Sequence, residues 1–347
     1  MTPQVEHIGD CTLYCGDALA VLPTLSEASM QLICVDPPYY HIKSEAWDRQ
    51  WPTREAYLSW LRSLAKEWQR ILTPNGSLYV FASPQMAAHV EVMLGEMFHV
   101  LNRIQWLKKD GWHKKADPVA LCSFLSAREE IIFAEHPSQS PEYEHSCNAL
   151  RADVFQSIRD YLESERQRAG ISFEDVRQIV GCAPKSGLPS HWFTPSQWVL
   201  PTQEQYAKLQ HGFNSRNGHA DYLRREYEDL RREYEDLRRE YEDLRRPFTV
   251  STRVPYTDVW DFATVPAAPG KHPCEKPLPL LRHIITASSR PGDTVLDCCA
   301  GSGSTLEAAK QCGRHAIGIE IDPRWHQQAM RRLSQEQLFT LAVENTP

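Results

Sequence analysis

The sequence predicts an α/β protein in which one sheet with helices on both faces is interrupted by a mainly helical insertion and a short heptad-repeat helix. Short apolar runs alternate with amphipathic stretches near both ends of the 347-residue chain, and a different pattern separates these two parts. The apolar content of 41% and the 10 tryptophans exclude a disordered chain.

The two terminal parts contain the predicted sheet. Apolar runs of strand length lie at 31–35, 77–81, 100–107, 130–134, 294–297 and 316–320. Helical stretches lie at 53–72, 84–97, 277–289, 304–312 and 323–337. Strands that alternate with helices are typical of a parallel sheet with both faces covered. We therefore assign 1–137 and 255–337 to one domain.

Residues 138–220 form the predicted insertion. Helices are indicated at 153–168, 172–180 and 202–210. Ser172 supplies an N-cap and Gly181 a stop for the middle helix. Two helices joined by a glycine turn are compatible with a helix-turn-helix, but the spacing alone favours an ordinary helical subdomain.

A heptad repeat, Leu-Arg-Arg-Glu-Tyr-Glu-Asp, lies within 221–246 and is stopped by Pro247. Its apolar residues alternate at spacings of four and three, with Tyr at a and Leu at d. They are Leu223, Tyr227, Leu230, Tyr234, Leu237, Tyr241 and Leu244. We expect a helix over 222–246 that pairs with a partner helix through 223–244. The alternatives are a solvated single helix held by pairs such as Glu228 with Arg232, or a duplication without a role.

The net charge of −7 argues, taken alone, against binding of polyanions. The charge is uneven, however, because 1–60 carries a net −5 and 221–246 a net −2. Residues 101–115 carry a local +4. The average charge therefore does not exclude nucleic acid as a partner.

The ten cysteines form no C-x-x-C pair, so neither a zinc site nor a redox dithiol is indicated. The N-terminus lacks the pattern of a signal peptide, and no run of 18 apolar residues occurs. We expect a soluble, cytoplasmic protein with reduced thiols and without a metal or a membrane partner.

The tetrapeptide Asp36-Pro37-Pro38-Tyr39 directly follows the buried strand 31–35. A carboxylate at the carboxyl end of a parallel strand faces the crevice where α/β folds bind ligands. The prolines stiffen the turn, so that its carbonyls can accept hydrogen bonds. Asp36 and the Pro37 carbonyl could accept from the exocyclic amine of a planar ring that stacks on Tyr39. For the two prolines alone, the alternative is a rigid loop capped by Asp36.

A glycine turn follows the strand at 294–297 and leads into a helix. The turn contains Gly301-Ser302-Gly303, whose glycines let the backbone approach a ligand closely. Glu320 ends the next strand, where an acidic side chain can hold the hydroxyls of a ribose. Together they favour a nucleoside cofactor, and the absence of a third glycine disfavours a dinucleotide.

These motifs resemble those of the S-adenosylmethionine-dependent amino-methyltransferases of DNA. Tyr14-Cys-Gly-Asp-Ala-Leu19 precedes the D-P-P-Y box, and Val259-Trp-Asp261 is followed by His272-Pro-Cys-Glu-Lys-Pro277. The order, catalytic box first and cofactor motif last, is similar to the permuted β class. The resemblance implies a Rossmann-like methyltransferase sheet with circularly permuted motif order. It also makes 138–220 the target-recognition region, and in that region it favours the helix-turn-helix interpretation.

The resemblance also implies where the cofactor binds. Asp297 and the turn would surround its methionine part, Glu320 would hold its ribose, Asp17 would reach its adenine, and Lys276 would close the pocket. The turn residues are Cys299, Ala300, Gly301, Ser302, Gly303, Ser304 and Thr305. The family usually has Phe at the position of Cys299 and Thr-Gln in place of Cys274-Glu275. These two departures leave the affinity for the cofactor open.

Two segments are candidates for DNA contact. The first is basic and aromatic and resembles the DNA-side loop of the family: Arg103, Trp106, Lys108, Lys109, Trp112, His113, Lys114 and Lys115. The second is a turn of the insertion: Lys185, Ser186, His191 and Trp192. For the first segment the alternative is an ordinary solvated loop.

The resemblance implies transfer of a methyl group from S-adenosylmethionine to N6 of an adenine flipped out of duplex DNA. A leading Asp favours adenine N6 over cytosine N4, where Ser is commoner. The alternatives are methylation of cytosine N4, RNA adenine or protein glutamine, and a non-catalytic DNA-binding scaffold on the same fold. Duplex DNA and a second copy of the chain are the expected partners, and a nucleoid association follows. Whether a restriction enzyme accompanies the protein stays open.

Overall fold

The chain divides into two compact units in the computed structural model: a catalytic unit, 1–139 with 246–347, and an inserted unit, 140–245. The structure describes residues 4–42, 45–108, 117, 119, 121–137, 150–183, 186–187, 189–195, 197–216, 221–250, 257–266, 268 and 270–344, with side chains to 335.

The described strands of the catalytic unit form one sheet of nine strands, in the order β1-β2-β9-β8-β3-β4-β6-β5-β7. The strands are β1 Gln4–Ile8, β2 Cys11–Cys15, β3 Met30–Val35, β4 Leu72–Ala82, β5 His99–Leu107, β6 Arg128–Glu135, β7 Val259–Trp260, β8 Thr294–Asp297 and β9 His315–Glu320. The predicted α/β class is confirmed, and the six predicted strands are all present.

The predicted parallel arrangement holds in the centre of the sheet, and antiparallel strands lie at its two sides. Strands β2, β9, β8, β3 and β4 run parallel, but β6 is antiparallel to β4 and β5, and β1 is antiparallel to β2. A parallel crossover needs a long connection, usually a helix. A two-residue turn joins β1 to β2, which is too short for a parallel crossover.

Helices cover both faces of the sheet. They are α1 Ala18–Val21, α2 Arg54–Ile71 and α3 Ala87–Gly95 before the inserted unit, and α9 Leu278–Ser288, α10 Ser304–Gln311 and α11 Pro323–Glu344 after it. Strand β3 shows the two-sided burial: Ile33 and Val35 pack with α2 and α3, whereas Leu32 and Cys34 pack with α9 and α10. Alternate residues of one strand therefore enter two hydrophobic cores.

The inserted unit is a helical subdomain with its own core. Its helices are α4 Gln156–Arg168, α5 Phe173–Val180, α6 Ser190–Phe193, α7 Gln203–Arg216 and α8 Tyr227–Leu244. Ser172 and Asp175 form a capping box at the start of α5, and Gly181 ends that helix with φ +80°. Phe155, Trp192 and Trp198 are buried among these helices.

The heptad repeat forms α8, which begins at Tyr227 and not at the predicted Tyr222. Leu223 has a left-handed φ of +51°, and Glu226 is extended at the N-cap, so neither continues a helix. Its seam packs within the inserted unit: Leu230 is fully buried, and the ring of Tyr234 lies 5.3 Å from that of Phe155. The ion pairs between residues of the helix itself join residues three apart, as in Arg232 with Asp229. The alternative of a solvated single helix is wrong, and pairing with a partner helix stays a prediction.

No helix in the part of the chain that the structure describes combines the length and the apolar character needed to cross a bilayer.

Candidate active site

Three acidic side chains lie at the carboxyl ends of neighbouring parallel strands. Asp36 follows β3, Asp297 ends β8, and Glu320 ends β9. Because β3, β8 and β9 are adjacent and parallel, their carboxyl ends meet at one edge of the sheet. The motifs that the sequence places more than 250 residues apart are therefore neighbours in space.

These acids line a cavity of about 530 Å³. Of the sequence-predicted residues, the cavity is lined by Asp17, Asp36, Pro37, Pro38, Tyr39, Lys276, Asp297, Cys299, Ala300, Gly301, Ser302, Ser304, Thr305 and Glu320. Gly303 lies behind the lining, where a Cβ would meet the Cβ of Ala329 at 2.9 Å. This glycine thus permits close packing of the turn on α11.

The glycine turn has backbone angles that side chains disfavour. Gly301 has φ +52° and Gly303 φ +79°. The amide of Gly301 donates to Oε2 of Glu320 at 2.7 Å, and the amide of Asp322 donates to Oε1 at 2.8 Å. These bonds orient the Glu320 carboxylate at the cavity, and each oxygen keeps capacity for a further donor.

Asp297 is a buried acid, 3% exposed. Burial raises its pKa to about 7, although hydrogen bonds from the Thr305 hydroxyl and the Cys299 amide act in the opposite direction. The Cys299 amide lies 3.0 Å from Oδ1. A carboxyl with this pKa changes charge near neutral pH.

Asp36 presents one paired and one unpaired oxygen. Its Oδ2 accepts from the ammonium of Lys276 at 2.5 Å. Its Oδ1 is buried and has no hydrogen-bond partner among the described residues. An acceptor without a partner beside a cavity is the arrangement that a ligand N–H group would complete.

The backbone around the catalytic box is held from several sides. The amide of Tyr39 donates to Oδ1 of Asp48 at 2.7 Å, and the Tyr57 hydroxyl donates to the carbonyl of Pro38 at 2.8 Å. The Tyr39 hydroxyl donates to Oε2 of Glu129 at 3.1 Å. Burial raises the pKa of Tyr39 well above its usual range, so it stays a neutral ring.

The two departures from the family pattern lie at the same cavity. Glu275 pairs with Arg332 of α11 at 2.9 Å and accepts from the Ser302 hydroxyl at 3.1 Å. It therefore ties the lead-in 272–277 to the glycine turn. Cys299 lines the cavity where the family usually places a phenylalanine ring.

Some residues at this site were not among the predicted site residues. Glu129 lies in β6 and contacts Tyr39, and the aromatic residues Trp47, His272 and Trp325 line the cavity. The rings of Trp47 and His272 are 6.4 Å apart, and those of His272 and Trp325 are 4.7 Å apart. Glu129 has no motif of its own, because only the sheet register brings β6 beside the box.

The residues predicted to contact DNA have mixed outcomes. Arg103 pairs with Glu91 at 3.0 Å on the surface, and Lys108 pairs with Glu129. Trp106 is a core residue, 2% exposed, whose Nε1 donates to the carbonyl of Phe262 at 2.8 Å. The remaining members, Lys109, Trp112, His113, Lys114 and Lys115, lie outside the described residues.

The predicted turn of the inserted unit needs one correction. Trp192 is 1% exposed and packs in the core of that unit, so it cannot face DNA. Its size and its apolar surface explain this burial. Ser186 and His191 are partly exposed, and Lys185 lies outside the described residues.

The comparison with protein families decides the class of this site. The N6_N4_Mtase model, described as DNA methylase, matches residues 30–331. The chain belongs to this DNA methylase family. The match spans both terminal parts of the catalytic unit together with the inserted unit, and it makes the chain a DNA methyltransferase.

Individual relatives agree with this family. The DNA adenine methyltransferase YhdJ of Escherichia coli (strain K12) is 25% identical over 327 residues, which are 93% of this chain and 82% of that protein. The type II methyltransferase M2.DpnII of Streptococcus pneumoniae is 46% identical over 67 residues, 19% of this chain and 25% of that protein.

A solved structure shares the fold. PvuII DNA methyltransferase, described as cytosine-N4-specific, has a TM-score of 0.52 and 13% identity, with 93% of this chain and 86% of that chain covered. At this identity the likeness concerns the fold alone, and it confirms the methyltransferase architecture that the motifs predict.

Proposed function

We propose that the protein transfers a methyl group from S-adenosylmethionine to N6 of an adenine flipped out of duplex DNA. The observation that carries this proposal is the unpaired Oδ1 of Asp36 beside the cavity. An exocyclic amine is the donor that this acceptor lacks. The YhdJ relative, an adenine methyltransferase by name, and the leading Asp of the D-P-P-Y box support adenine over cytosine.

The residues of the cavity fit the proposed cofactor. Its volume of about 530 Å³ suits a ligand of that size. A Cβ at Gly303 would lie 2.9 Å from the Cβ of Ala329, and one at Gly301 would lie 3.2 Å from the His272 ring. Both positions also have a left-handed φ, which favours glycine. S-adenosylmethionine, when bound, supplies a methyl group on a positively charged sulfur. Asp297 and Glu320 offer carboxylates to its ammonium and its ribose hydroxyls.

For methyl transfer, the chain has to orient the target amine and stabilise the charge that develops on it. The lone pair of an exocyclic amine is delocalised into the ring, which makes it a weak nucleophile. A hydrogen bond to Asp36 Oδ1 favours a tetrahedral nitrogen and stabilises the positive charge that develops on it. Pro37 also lines the cavity, and its carbonyl would accept the second N–H.

Such a cavity cannot reach a base inside a duplex, so the target base would be flipped out. We further propose that the motif order is the permuted β class and that the inserted unit, with residues 138–220, recognises the target sequence. Pairing of two copies, with or without α8, is part of the same proposal.

Sequencing that detects modified bases in DNA from cells expressing the protein tests this function, because it reports the base and the motif together. We expect N6-methyladenine at one motif. Asp36→Ala would lose methyl transfer in a tritiated-methyl assay and keep cofactor binding. Cytosine N4 as the modified base would overturn the adenine assignment, and undiminished transfer by Asp36→Ala would overturn the catalytic site.

A further inference from the structure

Lys276 is buried at the catalytic box, although the resemblance implies a role at the cofactor. Its side chain is 6% exposed, and its ammonium lies 2.5 Å from Asp36 Oδ2 and 3.4 Å from Glu129 Oε2. The same nitrogen lies 5.2 Å from the ring centre of Tyr39 and 4.9 Å from that of Phe81. A lysine this deeply buried is stable as a cation only with such partners.

Glu129 holds this ammonium from the sheet. Its side chain is 13% exposed and projects from β6, a strand paired on both sides. One oxygen is paired with Lys108, and the other faces Lys276 and accepts from the Tyr39 hydroxyl. Although burial acts against it, the two lysines lower the pKa of Glu129, so it stays an anion. Glu129, Lys276 and Asp36 therefore form a charged row from β6 to the box.

The row determines which atoms of Asp36 remain available. Lys276 occupies Oδ2, while Oδ1 has no partner among the described residues. Burial raises the pKa of Asp36, Lys276 acts in the opposite direction, and Glu129 adds to the rise. Tyr39, Tyr57, Cys34 and Asp297 are further titratable groups near this carboxyl. Without the lysine, nothing cationic in this set would keep Asp36 ionised.

We propose that Lys276 is a positioning residue for methyl transfer, which keeps Asp36 an anion and directs its free Oδ1 toward the target amine. This inference rests on the proposed function. As the amine nitrogen forms its bond to the methyl carbon, the sulfur–carbon bond breaks and its electron pair stays on sulfur. The nitrogen then loses one proton, and the hydrogen-bonded Oδ1 of Asp36 is positioned to take it.

The titration of the Asp36 carboxyl tests the role of Lys276 directly. Carbon-13 NMR of aspartate-labelled protein follows this signal, which Asp36→Asn identifies by its loss. In Lys276→Met we expect the midpoint to rise by about one pH unit or more, because an opposite charge at hydrogen-bond distance is lost. Lys276→Arg keeps the charge and the midpoint near that of the wild type. Lys66→Met, at an exposed lysine of α2, is the matched control and leaves the midpoint unchanged.

Glu129→Gln provides a second variant with the opposite sign. The substitution removes the negative charge of Glu129, which raises the pKa of Asp36, so we expect the Asp36 midpoint to fall. A merely structural defect would not move the midpoint in opposite directions in the two variants. Should Lys276→Met fail to fold, as judged by circular dichroism, the direction in which Glu129→Gln moves the midpoint decides.

Single-turnover methyl transfer at saturating cofactor gives the functional readout. At a pH below both midpoints, Lys276→Met would react more slowly than the wild type, by about tenfold for each pH unit by which its midpoint has risen, and it would recover above the raised midpoint. An unchanged carboxyl midpoint in folded Lys276→Met would overturn the inference, whether or not that variant still binds the cofactor. A wild-type protein that methylates no DNA would instead overturn the proposed function, because the NMR titration needs no substrate.

Discussion

The guanidinium Nε of Arg246 lies 2.8 Å from Oε2 of Glu135, and the two side chains are 3% and 0% exposed. Nδ1 of His99 lies 2.9 Å from the other oxygen of Glu135, and the rings of Phe133 and Phe248 each lie 5.2 Å from the guanidinium carbon. Arg246 is the last arginine of the heptad repeat, and the chain re-enters the catalytic unit at this residue. The ion pair therefore anchors the return of the chain to β6.

Replacing Arg246 with Ala should strongly destabilise the catalytic unit. The change leaves Glu135 buried without its counter-charge, which typically costs about 3–5 kcal/mol. Urea unfolding followed by circular dichroism measures the effect. Arg245→Ala is the matched control, because its ion pair with Glu242 is partly solvated, at 33% and 44% side-chain exposure, and should contribute less than about 1 kcal/mol. Equal losses in the two variants would contradict the assignment.

The pH dependence of the free energy of unfolding, without ligand, should reflect the titration of the Asp297 carboxyl. Its folded pKa of about 7 lies above the ordinary carboxyl value, so the folded state holds a proton that the unfolded state has lost. Stability contributed by this group is present at low pH and falls as pH rises from about 4 to 7, by at most about 1.4 kcal/mol for each pH unit. Relative to the wild type, Asp297→Asn should gain in melting temperature over this range.

The titration of Asp297 should affect cofactor affinity in the opposite direction, so that affinity rises with pH where stability falls. A cationic ligand group prefers the carboxylate, so affinity of the wild type for S-adenosylhomocysteine should increase with pH and level off above about 7. Isothermal titration of the wild type and of Asp297→Asn measures this, and the variant should bind weakly and without that pH dependence. A parallel pH profile in both proteins would argue against a carboxylate contact.

The glycine turn allows a matched pair of substitutions. Gly303→Ala and Gly313→Ala both place a side chain at a left-handed φ, +79° and +70°, at a cost of about 1–2 kcal/mol each. At Gly303 the new Cβ would also lie 2.9 Å from the Cβ of Ala329, whereas the space at Gly313 is open. We expect the larger loss of stability, together with loss of cofactor binding, only for Gly303→Ala. Similar stability and binding in the two variants would show that α11 shifts to accommodate the new Cβ without affecting stability or cofactor binding.

The heptad leucines should contribute unequally to the inserted unit. Leu230 is fully buried and Leu244 is 47% exposed, although the repeat makes them equivalent. Leu230→Ala should destabilise this unit by about 2–5 kcal/mol, and Leu244→Ala by less than about 1 kcal/mol. Light scattering of the Leu244→Ala protein tests the proposed helix pairing in parallel. A dimer that dissociates only in this variant would support pairing through the exposed end of α8.

Much of the fold is readable in the sequence because local patterns carry it. The strand at 31–35 and the helix at 172–180 were predicted within one residue of the observed β3 and α5, since apolar runs and caps depend on near neighbours. The D-P-P-Y box and the glycine turn were located for the same reason. Their shared cavity follows from the rule that ligands bind at the carboxyl ends of parallel strands.

Other features depend on which distant segments meet. The antiparallel placement of β6 brings Glu129 beside Asp36, and Glu129 in turn draws Lys276 to the catalytic box. Tertiary burial also determines that Trp192 and Trp106 are core residues, although His191 adjoins the first and Lys108 lies two residues after the second. For Trp192 no local signal separates packing from DNA contact, whereas Trp106 falls within the predicted strand 100–107.

By itself the sequence determined the α/β class, the two motifs and their separation by an insertion, because each is written in residues close together along the chain. Only the tertiary structure decided the partners of Lys276, the burial of Arg246 and the use of the heptad seam inside the inserted unit. The physical reason is that a buried charge or an apolar face takes the partner that folding brings nearest, and that partner is seldom a neighbour in the chain.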